Sequence, residues 1–267
     1  MANRKLDTLI VVCGHAIWVG GESKGENEEE WLIEPFQSNE TSTFIKHIEA
    51  GVRELSRRPG ALLVFSGGAT KRAKTDLTEA ESYCNLAAAK DMFDLEGKSA
   101  LLDRMFQDRY ATDSYQNVLL SLIQFPLFAQ QYRERIGTAA ASPQCLQWPS
   151  HLVVVSHEFK RARFVDLHLT AFKWRRSTEF IGINPPFSAV KMAEIEDGDK
   201  KRGYGIWKDD IYGNGQILSE KRAARGYSLE HFREGVLSRF DKNTLDVLEG
   251  LLVHPGTKLF AKNLPWE

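Results

Sequence analysis

Three apolar runs in this sequence end abruptly in residues that can do chemistry. The runs at 6–13, 61–65 and 152–155 lead into Gly14-His15, Ser66-Gly67-Gly68 and Ser156-His157-Glu158. Glycines let backbone N–H groups approach a ligand closely, and a helix starting just after a strand adds a positive dipole end. Gly14, His15, Ser66, Gly67, Gly68 and Ser156 are therefore candidates to hold an anion. For Ser66-Gly67-Gly68 the competing reading is a tight turn with no ligand. His157 is a candidate general acid or base, because an unperturbed imidazole titrates near neutrality. The competing reading is a histidine merely hydrogen-bonded at a strand end.

Carboxylates and cations fall at the neighbouring helix starts. In Thr78-Glu79-Ala80-Glu81 the threonine reads as an N-cap and Glu81 as its capping-box partner. Glu79 is better placed to reach the strand ends, where a carboxylate can take a ribose hydroxyl, a metal or a proton. Ser114 and Asn117 open the next helix either as caps or as ligand contacts, and an amide at that point is a mediocre helix former that calls for a partner. Lys160, Arg161 and Arg163 begin a helix where the macrodipole prefers acids, which points to an anionic partner. Arg161 is the candidate for a bidentate contact, and Arg163 reads as a solvated face.

The surrounding patterns say what positions these groups. Short β-branched apolar runs alternate with segments of helical spacing, such as Phe44, Ile48, Val52 and Leu55. Helices are expected from 41 to the Arg-Pro-Gly stop at 58–60, from 78 to 93, across 113–125 and over 158–172, with a last strand at 179–183. That alternation predicts an α/β fold, a mainly parallel sheet with helices on both faces and ligands at the carboxyl ends of the strands. Residues 1–186 form this unit, with a surface connection at 137–150. Residues 187–267 form a helical extension or cap, with a glycine-rich aromatic middle and two helical patterns at 219–240 and 243–252. Trp207, Asp209, Asp210, Tyr212, Lys221 and Arg222 mix aromatic and charged groups as a lid would, although a packed extension is the simpler reading.

Composition narrows the function classes. The 267 residues carry 35 basic and 36 acidic side chains, a formal charge of −1, so no global field draws the chain to nucleic acid or an anionic membrane. Cys13, Cys84 and Cys145 are odd in number and form no CxxC pair, which fits a reduced, cytoplasmic setting. The N-terminal apolar run is too short for a membrane span and lacks a signal-peptide plan. Neither a GxxxxGK[ST] loop nor GxGxxG follows a strand, and GxSxG and HExxH are absent. His15, His157 and a carboxylate could meet at a metal, but no ligand spacing assigns a metal site.

The order of these junctions, through LLVFSGG, TEA, ATDSYQN and VVVSHEFKRAR, resembles the bacterial YdcF-like and SanA-like family, in its soluble eukaryotic-type branch, over residues 6–184. His15 stands where that family usually has a second glycine, and Gln116 where glutamate is common. The resemblance implies a three-layer Rossmann-like fold with a ligand cleft at the strand ends. It places Gly14, Ser66, Gly67, Gly68, Glu79, Ser114, Asn117, Ser156, His157 and Arg161 there, and it implies S-adenosylmethionine as a ligand of at least one member. The expectation from residues and resemblance together is a soluble enzyme acting on a phosphorylated or nucleotide-like small molecule by hydrolysis or group transfer. Glu79 and His157 would be its acid and base. The alternative is a non-catalytic binding module for S-adenosylmethionine or a nucleotide. The cofactor stays open between S-adenosylmethionine and a divalent metal, and no protein partner is assigned.

Overall fold

The computed structural model describes residues 5–138 and 146–267, so Cys145 and most of the expected connection at 137–150 lie outside the described residues. The elements begin with β1 (Thr8–Cys13), the short antiparallel pair β2 (Ile17–Trp18) and β3 (Trp31–Leu32), and helix α1 (Thr41–Arg57). They continue with β4 (Ala61–Ser66), α2 (Glu79–Ala89), α3 (Lys98–Leu102), β5 (Met105–Asp108), α4 (Ser114–Arg135), β6 (His151–Ser156) and β7 (Ser177–Gly182). The main sheet is parallel in the order β5-β4-β1-β6-β7, with Val11 level with both Val64 and Val154. The chain leaves β1 toward one edge and returns to its other side for β6. The crevice at that reversal lies beyond the carboxyl ends of β1 and β6, where Rossmann-like sheets hold ligands.

Both faces of the sheet are covered, which is why its central strands read as unbroken apolar runs. Ile10, Val12, Leu63 and Phe65 face Phe44, Ile48 and Val52 of α1 and Tyr83 and Leu86 of α2. Leu9, Val11, Leu62 and Val64 face Val118 and Leu122 of α4 on the other side. Gly51 lets α1 lie directly on β1, since a Cβ there would stand 2.3 Å from Val12 Cγ2. The result is a three-layer α/β fold.

The extension continues the second core layer. Trp207, Tyr212, Leu218, Phe232, Leu248 and Trp266 belong to the same buried cluster as Leu9 and Val11. Its outermost helix, Ala189–Asp199, is the exception and buries no residue. No described helix is long and apolar enough to cross a membrane.

Four local expectations differ. The helix predicted to Phe93 stops at Ala89, and Asp91, Met92, Phe93 and Asp94 turn left-handed with φ between 52° and 60°. Helix α4 continues through Pro126 to Arg135. The helical pattern at 219–240 is broken near Gly226, whose φ of 83° cannot continue a right-handed helix. The segment after β6 is not one regular helix but a 3₁₀ turn, Glu158–Lys160, followed by a π-helical turn, Arg163–His168. Such turns are rare and widen the helix locally.

Candidate active site

A cleft of about 1010 Å³ opens at the carboxyl ends of β1 and β6. Gly14, His15 and His157 line it from the strand ends, Glu79, Ser114 and Asn117 from the starts of α2 and α4, and Lys160 and Arg163 from the turns after β6. The opposite wall comes from the extension through Arg202, Trp207, Lys221 and Arg225.

Three histidine rings cluster at the crevice, tilted or edge-on to one another. The ring centroid of His157 lies 4.4 Å from that of His15 and 4.9 Å from that of His47. His47, on α1, donates through Nε2 to the Ile183 carbonyl at 2.9 Å. His15 Nε2 meets Ser156 Oγ at 3.4 Å. His157 is only 2% exposed, yet neither of its ring nitrogens has a hydrogen-bond partner. Its Nε2 stands 3.4 Å from Glu40 Oε2, an approach not aligned as a hydrogen bond. Burial first, then the nearby Lys160 charge, holds the His157 imidazole well below its usual range. Burial raises the Glu40 carboxyl in turn, with Lys160 opposing. This pair is the kind whose environments push the carboxyl up and the imidazole down.

Glu79 lies over the crossing of the two glycine junctions. A Cβ on Gly14 would stand 2.6 Å from Glu79 Oε2, and one on Gly67 would stand 2.5 Å from it. The glycines are there for this side chain, not for a ligand's approach to their N–H groups. Gly14 N–H donates to the Ser66 carbonyl, Gly67 N–H to that of Asp108 and Gly68 N–H to that of Ala111. All three donors are used within the protein, so the expected backbone anion cradle is corrected. Glu79 Oε1 accepts from Thr70 Oγ1 at 2.7 Å, and burial raises its carboxyl against that bond.

Other candidates support the site from beneath. Ser66 is fully buried and donates to Asp108 Oδ2 at 2.7 Å, while Asn117 Nδ2 donates to the Ser66 carbonyl at 2.6 Å. Ser156 is likewise buried. Ser66 and Asn117 tie the ends of β4 and β5 to the start of α4, and of this group only Asn117 lines the cleft. Arg161 is a correction. It lies outside the cleft lining, is paired to Glu158 at 2.6 Å and stacks over Phe180. The turn geometry after β6 sends its neighbours Lys160 and Arg163 inward instead.

Arg163 is paired with Asp199 at 2.9 Å, but its buried Nε has no partner. Lys160 has no carboxylate within ion-pair distance among the described residues, and burial followed by Arg163 lowers its ammonium to about 8. At the mouth Arg202, Lys221 and Arg225 likewise form no ion pair among the described residues, and Arg225 Nη1 donates to the Thr112 carbonyl at 2.7 Å. Burial, Arg225 and Arg163 all lower Lys221. Like charges held this close favour a negative ligand. Among the described residues no group of three or more His, Cys, Asp or Glu side chains is arranged to hold a metal ion.

Sequence reasoning passed over Glu40, His47 and His168. Glu40 reads as the last polar residue before α1, and its failure to cap that helix shows only in three dimensions. His47 sits among the apolar positions of α1, where one histidine in a helical stripe looks like core.

The chain is 21% identical over 315 residues to the uncharacterized protein YOR238W of Saccharomyces cerevisiae, an alignment covering 99% of this chain and 98% of the relative. The likeness therefore runs through the extension as well as the sheet. No protein-family model and no solved structure matches the chain.

Proposed function

We propose that the protein is a soluble, cytoplasmic enzyme that acts on a phosphorylated or nucleotide-like small molecule, by hydrolysis or group transfer, and that it is kin to the YdcF-like family. The observation that carries this reading is His157. A neutral imidazole with two unbonded ring nitrogens lines a cleft in which Lys160, Arg202, Lys221 and Arg225 have no carboxylate partner. The cations would hold the phosphoryl oxygens by charge-assisted contacts. His157 would take a proton from the attacking hydroxyl or water, with Glu40 behind it, and Glu79, raised by burial, would protonate the leaving oxygen. The cleft volume is at the upper end of small-molecule sites, which suits a ligand of nucleotide size.

S-adenosylmethionine fits this lining poorly. Its sulfonium and ammonium outweigh its carboxylate, and its net positive charge would face an excess of unpaired cations. Thermal unfolding in the presence of phosphate, nucleotides, sugar phosphates, S-adenosylmethionine and divalent metals tests the reading, because a ligand at 100 times its Kd stabilises by about 2.7 kcal/mol. Stabilisation by phosphorylated compounds with turnover supports it. Binding without turnover would make the protein a ligand-binding module, and stabilisation by S-adenosylmethionine alone would overturn the anionic reading.

A further inference from the structure

Ser114 is the first residue of the 22-residue helix α4, lines the cleft, and meets His168 Nε2 through Oγ at 2.8 Å. His168 is fully buried in the π-helical turn, and its other ring nitrogen, Nδ1, has no hydrogen-bond partner. Three aromatic rings stand nearly perpendicular to it, Trp207 at 4.6 Å, Phe164 at 5.3 Å and Tyr115 at 5.6 Å between centroids. Nδ1, buried among these rings with no acceptor, is assigned the proton, which leaves the lone pair on Nε2 facing Ser114. The Ser114 hydroxyl then donates to His168. This is the arrangement that readies a serine for attack.

We infer that Ser114 is a nucleophile of this cleft, with His168 as its proton acceptor, and that it takes up the phosphoryl group of the ligand. The inference rests on the proposed reading of the cleft as a phosphoryl site. In the step the Ser114 O–H bond breaks, its proton passes to His168 Nε2, an Oγ–P bond forms, and the P–O bond to the leaving group breaks with its electron pair on the leaving oxygen. Water then attacks phosphorus and gives a proton to His157. The Oγ–P bond breaks, and Oγ recovers its proton from His168. Cations surround this position. Arg163 and Lys221 both feel the charge of Asp113, the residue before Ser114, and Arg225 is bonded to the Thr112 carbonyl. Trp207 comes from the extension, so the pair is complete only with both parts of the chain in place.

A fluorophosphonate probe tests this without knowledge of the substrate, since attack forms the Oγ–P bond and releases fluoride. The native protein should gain one adduct by intact mass, mapped to Ser114 after proteolysis and absent when the protein is denatured first. Ser114→Ala should abolish it, Ser238→Ala should leave it unchanged, and His168→Gln should slow labelling by roughly 100-fold or more. Near-UV circular dichroism of both site variants confirms folding, and the adduct position in the native protein needs no variant. No adduct, an adduct elsewhere, or unslowed labelling of folded His168→Gln overturns the inference. Because the probe is not a substrate, labelling can succeed where every phosphorylated ligand fails to stabilise the protein, and the reverse, so the two readings fail separately.

Discussion

Nε2 of His157 stands 3.4 Å from Oε2 of Glu40, with both side chains buried and each group biased toward its neutral form. The cleft floor is thus built to exclude charge while its walls supply it. One cost appears at acid pH. His15, His47, His157 and His168 are all held below the usual imidazole range, chiefly by burial. Their contribution is fully present above pH 6.5 and is lost as pH falls from there toward the folded-state values. For His47, lowered to about 4, this is worth on the order of 3 kcal/mol. Asp108, raised to about 6, runs the other way, because protonation relieves a buried carboxylate. His47→Gln isolates the histidine share. Urea unfolding at pH 7.5 and pH 4.5 should show a smaller acid loss in the variant than in the wild type, and equal losses would refute the assignment.

Lys160 should make anion binding pH-dependent. Its ammonium, lowered to about 8, is charged below that pH and lost above it. Affinity for inorganic phosphate, followed by calorimetry from pH 6.5 to 9.5, should fall as pH rises through about 8, with the bound anion moving the break upward. Lys160→Arg should flatten that limb.

The two arginines after β6 should separate cleanly. Arg163→Ala removes a cation from the cleft and should weaken phosphate binding by about 1.5 to 3 kcal/mol, the scale of a charge-assisted hydrogen bond. Arg161→Ala, which breaks the half-exposed pair with Glu158 and the contacts with Phe180, all outside the cleft, should leave affinity unchanged. The reverse result would restore the sequence expectation.

Gly67→Ala should act through Glu79. The new Cβ would stand 2.5 Å from Oε2 and 2.7 Å from Cβ of that residue, so the carboxylate must move. A stability loss of about 1 to 3 kcal/mol is expected in thermal unfolding, with loss of any turnover. A crystal structure of the variant with Glu79 in place would contradict this.

Arg222 ties the extension to the start of α4. Its Nε donates to Asp113 Oδ2 at 2.6 Å, and Nη1 and Nη2 donate to Asn214 Oδ1 and the Tyr212 carbonyl. Arg222→Met should cost about 3 to 5 kcal/mol in urea unfolding, since Asp113 is left buried and unpaired. A change within 1 kcal/mol would show that the tie is dispensable.

The sheet was legible because buried parallel strands leave unbroken apolar runs, and β1, β4 and β6 fall where LIVVC, ALLVF and LVVV predict them. Glu79, Ser114, Asn117 and His157 were legible for a related reason, since strand ends and helix starts converge by topology. What sequence could not show was handedness and direction. Nothing in Asp91–Asp94 announces a left-handed turn, and nothing in Lys160-Arg161-Ala162-Arg163 tells which cation faces inward, because 3₁₀ and π geometry rotate the faces away from the regular helical period. The glycines were read as room for a ligand, whereas the room is filled by Glu79. The extension read as a cap packed on the sheet, and Trp207, Tyr212 and Trp266 indeed share the sheet's core, although no periodicity announced which residues would do so.

That shared core decides how a ligand gets in. Walls fixed to one hydrophobic interior cannot swing apart as rigid bodies without exposing it, so entry falls to the element with least to lose. Helix Ala189–Asp199 buries no residue yet contributes Lys191, Glu194 and Asp199 to the rim. Its local opening costs little compared with global unfolding. Amide exchange along these eleven residues is therefore expected to be faster than in the sheet and to slow when the cleft is filled, with the Asp199–Arg163 pair holding the helix's last residue.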